Sequence, residues 1–75
     1  METKNEKFMR LASARSQSIV EQIRILTNLT NTSNYDYTDE QIATLFKMLE
    51  KELRMAKREF NEGLEKIALK KELKK

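Results

Sequence analysis

The stretch TDEQIATLFKMLEKELRMAKREFNEGLEKI, residues 38–67, decides how this chain folds. It opens with Thr38-Asp39-Glu40-Gln41, which fits a capping box. In that motif a threonine hydroxyl accepts a bond from an orphan N–H of the first turn, while the glutamine reaches back to the cap's own N–H. Tyr37 and Ile42 occupy the hydrophobic-staple positions on either side, and Asp39 and Glu40 suit the positive end of the helix dipole. From there Ile42, Phe46, Leu49, Leu53, Ala56, Phe60, Gly63 and Ile67 alternate steps of four and three residues. That spacing keeps one side of a helix apolar over many turns, as in a heptad seam. The pattern predicts a long helix from about residue 38 to about residue 72.

Working backward, the segment TNTSNYDY, residues 30–37, is rich in side chains that hydrogen-bond their own backbone, and it reads as a turn. Before it, Phe8, Ala12, Ser16, Ile19, Ile23 and Leu26 recur at helical steps, predicting a first helix from about Asn5 to Leu29. Leu11 and Leu29 widen that face, whereas Arg10, Glu21 and Arg24 lie largely off it.

The two seams can be laid against each other in opposite directions. Leu26 then meets Ile42, Ile23 meets Phe46, Ile19 meets Leu49, Ser16 meets Leu53, Ala12 meets Ala56, and Phe8 meets Phe60. A single fold-back point serves all the pairs, with small residues facing large ones or each other. The expected fold class is therefore all-α: one domain over residues 1–75, an antiparallel two-helix hairpin with a longer second helix.

Composition agrees with uninterrupted helices. The 75 residues include no proline and one glycine, and helix interiors exclude the first and penalise the second. A chain this short has a thin core and normally needs disulfides, a metal or a partner. It has no cysteine and no histidine, which excludes disulfides and the usual zinc sites and leaves association. Leu64, Ile67, Ala68 and Leu73 extend an apolar side beyond the reach of the first helix. Met9, Val20, Ile25, Leu45, Met48 and Met55 lie outside the seams altogether. Apolar surface in that amount marks a contact site, and a homodimer forming a four-helix bundle is the simplest way to cover it. Tyr35, Leu45, Met48, Met55, Leu64 and Ile67 are the candidate protein-interface residues. Tyr35 has a competing task in capping the bundle end.

The sequence offers little to an enzyme. General acid–base work most often uses histidine, and nucleophilic catalysis needs an activated serine, cysteine or threonine beside a base. Ser13 and Ser16 near Arg15 read better as small residues that permit close helix packing. A phosphate-binding loop needs more than one glycine, and the scattered carboxylates lack a metal-binding pattern. The expectation is no catalytic residue, no metal, no cofactor and no small-molecule substrate.

Lys47, Lys51, Arg54 and Arg58 follow a four-three-four spacing that aligns them along one side of the second helix. Such a row can track a phosphate backbone, and Lys66, Lys70 and Lys71 in the basic tail can add to it. The plainer reading is a solvated face and a helix end matched to its dipole. On that reading Glu50 pairs with Arg54, and Glu62 with Arg58. The net charge of +3 permits contact with nucleic acid or an acidic protein without demanding either. Nothing near the start is apolar for long enough to be a signal peptide or a membrane span, so the expected setting is cytoplasmic, away from membranes.

Three pieces carry a resemblance: Phe8-Met9-Arg10-Leu11-Ala12-Ser13-Ala14-Arg15, then Ile23 to Asn31, then Ser33-Asn34-Tyr35-Asp36-Tyr37-Thr38. Together they resemble short helical proteins of bacteria and mobile elements, a group that implies no activity and assigns no functional residue. The expected dimer is similar in architecture to the Rop-like bundle, which binds RNA across a helix face; that likeness is one of fold. The function expected is a non-enzymatic protein-interaction module, an accessory or inhibitory factor of a phage, plasmid or bacterium. The alternative is a small basic nucleic-acid-binding regulator.

Overall fold

The computed structural model describes residues 1–73. Lys74 and Lys75, the end of the basic tail, lie outside the described residues, as does the side chain of Leu73. The described chain is all-helical: α1 (Lys4–Thr27), a short 3-10 turn (Asn28–Thr30) and α2 (Asp39–Leu73), with no strand among the described residues. It divides between Asp36 and Tyr37 into two helical units.

In the first unit, α1 begins one residue before the expected start, and its cap is the reason. Thr3 is an extended N-cap whose hydroxyl accepts from the Glu6 N–H at 3.0 Å, while Glu6 Oε1 accepts from the Thr3 N–H at 3.0 Å. This is a reciprocal capping box, built on Thr3-Lys4-Asn5-Glu6. At the other end the α-helix stops at Thr27, earlier than the expected Leu29, and tightens into the 3-10 turn. The Asn28 N–H is shared between the Ile25 and Leu26 carbonyls. Hydroxyls take two of the carbonyls freed at this end: Thr27 Oγ1 donates to Arg24 O at 2.6 Å, and Thr30 Oγ1 to Thr27 O at 2.8 Å. Asn31 then organises the turn. Its side-chain oxygen accepts from the Ser33 N–H at 3.0 Å, and its carbonyl from the N–H groups of Asn34 and Tyr35. This is the self-bonding turn chemistry expected of the segment.

In the second unit, Thr38 caps α2 as the sequence predicts. Gln41 N–H donates to Thr38 Oγ1 at 3.1 Å, Thr38 N–H donates to Gln41 Oε1 at 3.0 Å, and Ile42 N–H closes the first turn onto Thr38 O. Asp39 and Glu40 fill the first turn and Lys70 and Lys71 the last, both complementary to the dipole. With 35 residues, α2 is about 52 Å long against about 36 Å for the 24 residues of α1.

Among the described residues no side chain is buried. Leu11, Ala12 and Leu26 on α1, and Ile42, Leu45 and Gly63 on α2, are half-buried; the rest are exposed. The seam residues Ile19 and Leu53 are each 60% exposed. No helix among the described residues is long and apolar enough to cross a membrane.

Candidate functional site

The winding of α2 sorts its side chains into distinct faces. At about 100° per residue, Ile42, Phe46, Leu49, Leu53, Ala56, Phe60 and Ile67 fall within one apolar stripe. Gly63 and Leu64 continue it. A Cβ added at Gly63 would meet nothing within 4 Å, so this turn of the stripe is open. Of the six candidate protein-contact residues, Leu64 and Ile67 lie in the stripe and Leu45 borders it. Leu45 and Met48 line a shallow hollow with Thr38, Gln41 and Thr44 over the first turns of the helix. Met48 and Met55, two turns apart, form a separate flank about 120–140° round the helix from the middle of the stripe, next to Thr44 and Lys51, and are both exposed. Tyr35 belongs to the other unit, where it stands 49% exposed at the end of the Asn31 turn.

The cations divide less evenly than the sequence reading had them. Lys47, Lys51, Arg54 and Arg58 share one exposed face, centred about 160° round the helix from the apolar stripe. Lys66 and Lys70 are turned away from that face by about 90° and 130° respectively, and Lys71 falls on the line of the apolar stripe. The tail lysines therefore do not extend the row. The neutralising ion pairs expected along it are also not formed. Among the described residues the one ion pair is Glu2 with Arg10, and Glu50–Arg54 and Arg58–Glu62 stay open. The physical reason is the weak gain of such contacts. Two long exposed side chains held in one geometry lose rotamer entropy that a screened surface attraction barely offsets.

The Glu2–Arg10 pair had no signal in helical spacing, because Glu2 precedes the helix. Its carboxylate bends back over the capped first turn and accepts from Arg10 Nε at 2.8 Å and from Arg10 Nη2 at 3.1 Å. The same contact raises the Arg10 guanidinium pKa, holding an already permanent charge. Glu6 is shifted the other way. Its carboxylate accepts from the Thr3 backbone N–H, with the Thr3 hydroxyl adding to the effect, so its pKa lies below the ordinary glutamate range. Both groups stabilise the start of α1 and lie in no cleft. Among the described residues no three carboxylates converge in a way that would hold a metal ion. No protein-family model, curated protein or solved structure matches the chain.

Proposed function

We propose that this protein is a non-enzymatic interaction module that works by covering apolar helix faces. In this reading α1 folds back along α2 as an antiparallel hairpin, and two copies pair into a four-helix bundle. The assembly then serves as an accessory or inhibitory factor through its helix surfaces. The observation that carries it is exposed apolar area. Met9, Ile19 and Ile23 on α1, and Phe46, Leu49 and Leu64 on α2, are all exposed. In the proposed assembly, fold-back and dimer contact share the covering of these side chains. Phe8 at 46%, Leu53 at 60% and Phe60 at 62% exposed are the kind of side chain that such contacts cover.

A second copy is favoured over an unrelated partner for two reasons. With no cysteine and no histidine to brace a small core, self-association is a source of stability within the protein itself. The face to be covered is also a regular heptad seam, the pattern that pairs most readily with another of its kind. Sedimentation equilibrium of the full chain at about tens of micromolar, with circular dichroism on the same samples, tests this. The expected result is twice the chain mass with full helicity. A fully helical monomer overturns the dimer.

A further inference from the structure

The face of α2 opposite its apolar stripe has a composition of its own. Between Glu40 and Glu62 it carries Ala43, Thr44, Lys47, Lys51, Arg54, Arg58 and Asn61, with Glu50 and Met55 bordering it on either side. The four cations are exposed, and none closes an ion pair with a described carboxylate. They span about 16 Å along the axis at intervals of about 4.5–6 Å, on one continuous helix.

We propose that this row is a nucleic-acid-binding face that grips the phosphate backbone of an RNA or DNA strand without reading its bases. Three properties favour a polyphosphate over an acidic protein. The row has no aromatic, methionine or large aliphatic residue, whereas the core of a protein interface is rich in such anchors and poor in lysine. Its polar uncharged members, Thr44 and Asn61, are side chains that donate to phosphate oxygens alongside lysine and arginine. It is also a linear run of fixed pitch, suited to a linear array of charges about 3.4 Å apart along each strand. Because the row points away from the seam, it stays open when the seam is covered, and it does not depend on what covers it.

The test uses the full chain and fluorescein-labelled oligonucleotides of about 20 nucleotides, one single-stranded and one duplex, read by anisotropy. Binding is expected at low salt. Raising salt from about 50 to 200 mM should weaken it about a hundredfold on duplex and about fiftyfold on single strand, since four neutralised phosphates release their counterions. Replacing Lys47, Lys51, Arg54 and Arg58 together with glutamine should abolish the anisotropy change and keep the helical circular dichroism, glutamine being as good a helix former. Replacing Lys66 and Lys70, which lie off the row, should leave affinity within about twofold. Absence of binding to either oligonucleotide at about 100 µM chain and low salt overturns the proposal. So does undiminished binding by the fourfold variant. A polyglutamate peptide that competes as well as unlabelled oligonucleotide of equal charge also overturns it, in favour of an acidic protein partner. The mass from sedimentation is read independently, so failure here leaves the assembly proposal standing, and the reverse.

Discussion

The two helices are built to different standards. α2 carries a seam that is mostly of large residues, interrupted by Ala56 and Gly63, and an opposing face of cations. α1 carries a looser stripe: Ala12 and Ser16 are small, Arg15 and Gln22 lie on the same side, and its far face mixes Arg10, Gln17, Glu21 and Arg24. A helix with two contrasting faces can cover one and present the other. A helix with one broken face and one mixed face has less to present. Under the assembly proposal the difference casts α2 as the element that meets partners.

The comparison breaks most readily at the centre of the α2 seam. Under the assembly proposal Leu53→Ala should cost about 2–5 kcal/mol, measured by urea unfolding. Ser16→Ala, on the α1 stripe, should cost under about 0.5 kcal/mol. A Leu53 variant as mild as the Ser16 one would mean that the large-residue seam stays in water, and the contrast between the helices would lose its meaning.

Next in size are the two capping boxes. Thr38→Ala and Thr3→Ala should each cost about 1 kcal/mol by loss of a bonded orphan N–H. The two should differ in reach. Removing the α2 cap frays the turn that carries Ile42, the first seam residue, and so should also weaken self-association in sedimentation runs. Removing the α1 cap should lower helicity alone.

Gly63 sharpens the picture further. In the chain itself a methyl group there meets nothing, so Gly63→Ala should raise helix stability by about 0.8–1 kcal/mol, seen as a higher midpoint in thermal circular dichroism. If a neighbouring helix approaches closely at that turn, the same change lowers the dimer affinity instead. The sign reports whether the extension of α2 beyond Phe60 is covered.

The smallest expected effect is a pH dependence at the start of α1. The Glu6 pKa is lowered by its bond from the Thr3 N–H, so the native state holds the ionised form more firmly than the unfolded chain does. Its contribution is therefore present above the ordinary glutamate pKa of about 4.3 and is lost as pH falls through the lowered value. Acid titration of helicity in the wild type and in Glu6→Gln should show the difference confined to that window. An identical acid profile in the two would remove Glu6 from the cap. α2 uses Gln41 at the equivalent position and has no such dependence to lose.

Much of the fold was legible because helix signals are local. The Thr38 cap, the Asn31-centred turn and both apolar stripes depend on residues within a few positions of each other. The α1 cap was equally legible in Thr3-Lys4-Asn5-Glu6, yet periodicity first registers at Phe8 and drew the expected start to Asn5. The candidate site was read less well. Four aligned cations follow from spacing, and the tail lysines, a separate basic segment of the sequence, fall on other sides of the helix. The neutralising pairs were expected from i,i+4 distance alone. Spacing says which side chains are within reach; whether an ion pair closes depends on rotamers and solvent screening, which no pattern encodes.

The sequence by itself determined two helices, the turn that separates them, and the opposition of an apolar and a basic face on α2, because backbone geometry converts residue spacing directly into direction. Only the tertiary structure decided that the basic row is left unneutralised, that Glu2 reaches back to clamp Arg10, and that α1 closes through a 3-10 turn. Those outcomes come from competition among side chains, water and backbone for the same hydrogen bonds, and it is settled in space.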